Sequence, residues 1–460
     1  MTTAAARGVY GLILIAGFAA MLVFNWPGHM SVDSVLALHE GRFGLRETWN
    51  PAIFGWLLGV SDRVASGPSG IVVLNGLLLF GSLTLLSCLR DRVTVWAPAA
   101  ALAAICLPQL ILFPAIVWKD VMFAVLALTG FVALALAFRQ PSGSGRILGL
   151  FAAAIGLAIA GLLRQHGLIL ALSAAGAIAW TSWSGGRRKA LGLATMWLAG
   201  VLVLTLLLSA VARPQGAGAP DDSGARGIRL LMIYDIVGAA AVQPGRPTPD
   251  IDAVARPAGD YIRAEARRLY SPERIDVMHD TAQLKPLSSG AITPQLFAEW
   301  RRLVLADTPV YLRVRAADFW QVFATPRVDR CVPAHVGIDG PRQALRELRI
   351  APRHTPRDQR IYNYVTWHMD TPSLSHIAYA VVALGVAVLL LVRRAPADLA
   401  IAAFMIGALG FAACFFVISL ACDYRYLYVL DIACVTGVLY WALDPRLSRS
   451  LVQKGVVELG

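Results

Sequence analysis

The chain has 460 residues, of which 57% are hydrophobic and only 15% charged, with a mean hydropathy of +0.61. No soluble domain accommodates that much apolar chain, so composition alone places the protein in a membrane. The formal net charge of +12 does not point to nucleic acid, because the basic residues are scattered over many gaps and gather in no single patch.

The first apolar stretch, Val9 to Phe24, follows a single Arg7 and runs into Asn25-Trp26-Pro27. It has no small-residue cleavage site in the right place, which predicts an uncleaved span instead of a signal peptide. A helix rises about 1.5 Å per residue and the hydrocarbon core is about 30 Å thick, so apolar runs of about 17 to 23 residues read as spans. About ten are found, near 8–26, 68–89, 95–117, 119–138, 147–163, 167–183, 190–211, 374–392, 398–420 and 425–443. The fold class predicted is therefore an all-α polytopic membrane protein.

Short-loop charge sets the orientation. Arg7, Arg90, Arg92, Arg139, Arg146, Arg187-Arg188-Lys189, Arg393-Arg394, Arg446, Arg449 and Lys454 all fall in alternate gaps, which predicts that those gaps and both termini are cytoplasmic. The other face receives the tight connections Trp118-Lys119-Asp120, Arg164-Gln165-His166 and Ala421-Cys422-Asp423-Tyr424-Arg425, together with two longer loops. Three regions follow: residues 1–212 with about seven spans, a periplasmic loop domain at 213–372, and a C-terminal region at 373–460 with about three spans and a cytoplasmic tail.

The first outer loop, 27–67, predicts two surface helices. Ser31 to Arg42 carries Val32, Val35, Leu36 and Leu38 on one side, with Asp33, Ala37 and Glu40 on another, the spacing of a helix lying along the membrane. Pro51 to Val64 repeats the pattern behind a proline at the favoured first-turn position. The second loop begins with a flexible composition from Gln215 and then shows helical patterns at Tyr261–Tyr270, Pro294–Leu305 and Pro309–Phe323, with no internal repeat.

Six cysteines form no metal signature, and Cys88, Cys106, Cys414 and Cys434 lie in apolar segments. Cys331 and Cys422 are the two that this topology exposes to an oxidising compartment, which makes them candidates for a disulfide.

The ionisable residues are the informative ones. Asp33, Glu40, Lys119, Asp120, Arg164, His166, Asp423 and Arg425 come from four different connections, yet the topology puts them all at one membrane boundary, where charge is costly unless paired or used. A shared polar cavity is the expectation. Each also has a structural reading. Asp33 could cap the surface helix, Lys119-Asp120 could simply begin a helix, Arg164 and His166 could bond loop carbonyls, and Asp423 and Arg425 could pair locally among the interface aromatics Tyr424, Tyr426 and Tyr428. Glu40 and Glu47 read more readily as solvated.

An acidic residue just after the first span (Asp33), a surface helix, a Trp49-Asn50-Pro51 turn into a second surface helix and many short-looped spans resemble the GT-C glycosyltransferases, integral-membrane enzymes that take sugar from a polyprenyl phosphate. The resemblance continues through Trp118-Lys119-Asp120, Arg164-Gln165-His166, the segment Trp300 to Phe323 and Asp423-Tyr424-Arg425-Tyr426. Better-known members carry an acidic pair after the first span and a His-Pro-Pro turn, where this chain has Asp33-Ser34 and Trp49-Asn50-Pro51, so the subfamily is left open. The resemblance implies an inverting transfer from an undecaprenyl-phosphate sugar to a periplasmic glycan, lipid or protein, in a bacterial inner membrane. It implies Asp33 as base, or as holder of a divalent metal, and Lys119, Arg164, His166 and Arg425 around the donor phosphate. Glu40, Asp120, Asp423 and Tyr424 stand beside them as supporting groups. Tyr234-Asp235 and Trp300 to Tyr311 have family-like placement, although such aromatics more often pack. A transporter or flippase is the alternative, and Pro108 and Pro114 in the third span with Asp431 in the tenth are the features that speak for it; a non-catalytic partner-binding protein is a third reading.

Overall fold

The computed structural model describes residues 2–446 apart from 47, 49, 141, 214–222, 280, 289, 328 and 332. Glu47, Trp49, the loop entry at Gln215 and the tail residues Arg449 and Lys454 therefore lie outside the described residues. The protein is an all-α polytopic membrane protein, with twenty α-helices along its described length and no strand among the described residues.

Helix α1 is Thr3–Asn25, followed by the two short helices α2, Val32–Phe43, and α3, Ala52–Val64. Next come α4 (Ser69–Leu85), α5 (Trp96–Ile105), α6 (Pro108–Ile111), α7 (Lys119–Arg139), α8 (Ser144–Leu163), α9 (Leu168–Thr181) and α10 (Arg187–Val211). The intervening region holds α11 (Ser223–Val242), α12 (Pro249–Leu269), α13 (Asp276–His279), α14 (Thr293–Ala306), α15 (Thr308–Phe323), α16 (Arg342–Leu348) and α17 (Pro356–His368). Helices α18 (His376–Arg393), α19 (Pro396–Ile418) and α20 (Tyr428–Leu443) complete the chain.

Among the described residues, eight of these helices are long and apolar enough to cross a membrane. The predicted span 95–117 is instead a broken pair, bent by 72° between α5 and the segment from Pro108 to Ala115. Its cause is local: Leu107, held extended before Pro108, takes the conformation a following proline imposes. The predicted span 167–183 is the 14-residue α9, which at about 1.5 Å per residue falls short of a hydrocarbon core about 30 Å thick.

The chain divides into two compact units. The first comprises the described residues of 1–216, 334–411 and 428–446; the second comprises the described residues of 217–333 with Ala412–Leu427. The segment 334–372, grouped by the sequence with the large loop, thus packs with the membrane spans. Backbone pairing is the reason: Met30 N–H donates to Gly337 O at 2.9 Å and Asp339 N–H to Met30 O at 2.9 Å. His29 seals the joint. Its Nδ1 accepts from Gly337 N–H at 3.0 Å, so Nε2 carries the proton and donates to Asn25 Oδ1 at 3.0 Å. Burial, with the Arg353 guanidinium beside it, pushes the His29 imidazole down to about 3.

Helices α2 and α3 approach backbone to backbone. A Cβ on Gly41 would stand 1.9 Å from Gly55 O, and one on Gly59 would stand 2.3 Å from Gly41 O. Only glycine permits that contact. At the other end of the bundle the buried Asp398 meets Arg90, Arg393 Nε at 2.8 Å and Tyr440 OH at 2.8 Å, while Arg7 donates to Arg90 O at 2.7 Å.

The second unit is built around the fully buried Arg315. Its guanidinium meets Asp235, Asp318 Oδ2 at 3.0 Å, and the Val417 and Ser419 carbonyls at 3.0 Å each. Tyr270 OH donates to Asp318 at 2.6 Å, and Trp300 Nε1 donates to Asp235 at 2.7 Å. Tyr234, Asp235, Trp300 and Tyr311 therefore pack and hydrogen-bond a core. The candidate disulfide is formed: Cys331 and Cys422 are bonded, with Cα atoms 5.1 Å apart, fastening the end of α19 and its following turn within this unit.

Two predictions come from this packing. Gly41→Ala pushes a methyl group into the Gly55 carbonyl and is expected to cost about 1–3 kcal/mol, whereas Gly8→Ala, with nothing within 4 Å, is expected to be neutral. Thermal unfolding of the two variants checks this, and equal midpoints would remove the close contact.

Acidification is expected to move the two units oppositely. Burial pushes the Asp318 carboxyl up to about 7 and Asp235 up to about 6, against the pull of Arg315. Their contribution is full below the ordinary carboxylate value of 3.8 and is lost as pH rises through those values. The depressed His29 contributes above 6.5 and loses that contribution as pH falls through about 3. Between pH 7.5 and about 5, hydrogen exchange corrected for its intrinsic rate should slow around Asp235 and Asp318 and quicken around His29 and Gly337; Asp318→Asn should blunt the first change.

Candidate functional site

The geometry begins with a short stretch of paired backbone. His29 N–H donates to Ala115 O at 2.9 Å, and Val117 N–H donates to His29 O at 3.0 Å. Two serines extend the join: Trp118 Nε1 donates to Ser31 Oγ at 3.0 Å, and Ser34 Oγ donates to Val117 O at 2.5 Å. The start of α2 is thereby fixed beside the start of α7, which places Asp33 near Lys119 and Asp120 despite their separation in sequence. Ser31, not Asp33, is the N-cap of α2. Asp33 lies in the first turn, where the helix dipole favours a carboxylate.

Asn50 is the connector that the sequence did not single out beyond its turn. Its Nδ2 donates to the Asp33 carbonyl at 3.2 Å and its Oδ1 accepts from Lys119 Nζ at 3.2 Å. One buried amide thus touches both the turn of the candidate base and a candidate phosphate ligand. The turn carrying Asn50 is itself pinned by Glu40, expected to be solvated but only 4% exposed. The Glu40 carboxylate accepts the Thr48 N–H and lies 3.8 Å from Arg46, whose guanidinium in turn donates to Asn50 O. Burying a carboxylate is costly unless it is hydrogen-bonded, so Glu40 acts by positioning the Asn50 turn. An Asn immediately before Pro51 was the available signal, since Asn supplies a donor and an acceptor on a two-bond stem.

The next residue of α7 faces a second partner. Asp120, buried, accepts from Arg164 Nε at 2.5 Å, so Arg164 uses a carboxylate where a loop carbonyl was the alternative. His166 stacks on Phe411 with ring centroids 4.4 Å apart. Burial, then the neighbouring Arg164 charge, pushes its imidazole down to about 3, leaving a neutral ring. Asp33, Asn50, Lys119, Asp120, Arg164 and His166 all belong to the first unit, and the adjacent pair Lys119-Asp120, at the start of a membrane helix, bonds Asn50 on one side and Arg164 on the other.

Asp423, Tyr424 and Arg425 belong to the second unit and are described there. Arg425 pairs with Asp423 at 3.1 Å, the local ion pair that was the alternative to a ligand role. Tyr424 N–H donates to Cys331 O at 2.9 Å. Asp431, the carboxylate noted within the last span, sits in the first turn of α20 and meets His376 Nδ1 at 2.9 Å. Among the described residues no three His, Cys, Asp or Glu side chains converge as a metal site. Asp33 does not stand in such a group, and no step is derived through a metal.

Three crystal structures are similar to this chain over nearly its whole length. One is the Archaeoglobus fulgidus oligosaccharyltransferase in complex with Zn and sulfate, at 14% identity and a TM-score of 0.41, covering 97% of this chain and 51% of that one. The others are ArnT from Cupriavidus metallidurans, in the apo state (14% identity, TM-score 0.36, 95% of this chain and 78% of that one) and bound to undecaprenyl phosphate (11%, 0.33, 94% and 77%). The chain spans about half the length of the oligosaccharyltransferase. No family model and no curated sequence matches it.

Removing the connector is the direct test of this geometry. Asn50→Ala leaves buried polar partners behind and is expected to cost about 1–3 kcal/mol. Hydrogen exchange should quicken together at 31–36 and at 118–122; a change confined to one segment would show that Asn50 does not join them.

Proposed function

We propose that this chain is a membrane glycosyltransferase that moves a sugar from a polyprenyl-phosphate carrier, of the undecaprenyl-phosphate kind, to a periplasmic glycan, lipid or protein. The observation that carries the reading is the Asn50 amide, which couples the Asp33 turn to Lys119 beside the Asp120–Arg164 pair. A carboxylate and two cations then stand at helix ends. That is the depth at which a lipid phosphate must sit, with its tail in hydrocarbon and its sugar toward water.

Each group has a role in the transfer. An acceptor hydroxyl oxygen attacks the anomeric carbon, the bond from that carbon to the phosphate oxygen breaks, and the electron pair leaves with the carrier phosphate. The hydroxyl proton passes to the Asp33 carboxylate, and attack opposite the leaving group inverts the centre. The departing phosphate gains negative charge, which Lys119 and Arg164 stabilise. Asp120 fixes the Arg164 fork, and a neutral His166 supplies one N–H to the phosphate.

An outward-facing site is supported by Arg7, Arg90 and Arg393, which gather at the opposite end of the spans, as cytoplasmic ends do.

Asp33→Asn is expected to lower release of carrier phosphate from a labelled undecaprenyl-phosphate hexose by ~10²–10⁴-fold, with an unchanged elution profile and melting midpoint. Turnover within about threefold of the parent would remove Asp33 from the role of base.

A further inference from the structure

The distal end of α2 borders a second polar cavity that the proposed transfer does not use. A cleft of about 360 Å³ opens between α2, α3 and the end of α10. Arg42, Arg46, Arg63 and Arg213 line it, against the single carboxylate of Glu40 among the described lining residues. Local partners occupy some of this charge. Arg42 is held by Asp62 at 2.7 and 2.6 Å, and Glu40 is bound to Thr48 and Arg46. Arg63 and Arg213 are exposed and give the cleft a positive excess that its own carboxylate does not match.

The rest of the lining is apolar. Trp56 and Val211 face the same space, and along α10 Leu206, Leu207 and Val211 are 71%, 59% and 60% exposed. Such a helix in a membrane protein offers that surface to acyl chains, and Arg213 follows directly at its end, where a long cationic side chain reaches the headgroup level. Cations at the polar end of an apolar track recognise an amphiphile with an anionic head, and guanidinium groups favour phosphate oxygens. Along α2 the cleft's Glu40 lies seven residues beyond Asp33, or about 10 Å at the helical rise, so a phosphate held there is separate from one held by Lys119 and Arg164.

We infer that this cleft is a binding site for the phosphate headgroup of an anionic lipid, distinct from the carrier site and independent of whether the chain transfers sugar. Arg63 and Arg213 bind the headgroup, Arg46 assists, and the exposed side of α10 takes the chains.

Native mass spectrometry of the full-length protein in neutral detergent tests it, with phosphatidylglycerol, phosphatidylcholine, undecaprenyl phosphate and inorganic phosphate as separate probes. The parent is expected to retain phosphatidylglycerol in preference to phosphatidylcholine. Arg63→Gln/Arg213→Gln should weaken that retention on the order of tenfold and leave undecaprenyl phosphate retention unchanged, while Arg63→Lys/Arg213→Lys should keep most of it. If the Gln pair does not fold, each single change is expected to show a smaller loss. Undiminished phosphatidylglycerol retention in the variants overturns the site. Parallel loss of undecaprenyl phosphate assigns the cleft to the carrier and also overturns it, as does displacement of the lipid by inorganic phosphate at equal concentration.

Discussion

The paired backbone between His29 and residues 115–117 is the constraint on which the candidate site depends. Apart from it, only the Trp118–Ser31 and Ser34–Val117 bonds and the Asn50 amide are described between the starts of α2 and α7, whose sequences stand far apart. With it, the first turns of both helices share a boundary, and each residue's side chain is assigned by helical geometry. Successive residues of a helix point about 100° apart, so Lys119 turns to Asn50 while Asp120 turns to Arg164. One peptide bond therefore serves two halves of a polar cluster.

The large-scale architecture was legible because hydropathy is a property of long windows. The spans, the basic gaps and the two short helices α2 and α3 were visible in that way, and so were Lys119, Asp120, Arg164 and His166, ionisable groups beside span ends. What was not legible depended on pairings between distant backbone segments. The grouping of 334–372 with the spans follows from the bonds between Met30 and Gly337 and Asp339, which leave no compositional trace. The break at Pro108 was present in the sequence as a proline, but apolar composition on both sides masked its effect.

Polar side chains were misjudged where burial reversed their ordinary behaviour. Glu40 reads as solvated on α2, yet it is buried, where it accepts the Thr48 N–H and lies 3.8 Å from Arg46. Asn50 carries no charge and so attracted less weight than Asp33 or Lys119, although it contacts both of their neighbourhoods. Tyr234, Asp235 and Trp300 have the placement of functional aromatics and acids, and their hydrogen bonds are spent on a core around Arg315. A guanidinium wholly removed from water demands that many partners.

The glycine contact between α2 and α3 also constrains how these two helices can respond to a ligand. Two helices whose backbones touch at Gly41, Gly55 and Gly59 have no side-chain layer in which to slide, so they behave as one stiff lever. The Asn50 turn joins the two arms of that lever and cannot hinge by itself. Any opening wide enough to admit a bulky headgroup must tilt the pair as a body, and a tilt that lifts one end of α2 lowers the other. Arg63 on α3 and Asp33 on α2 are then carried by one body.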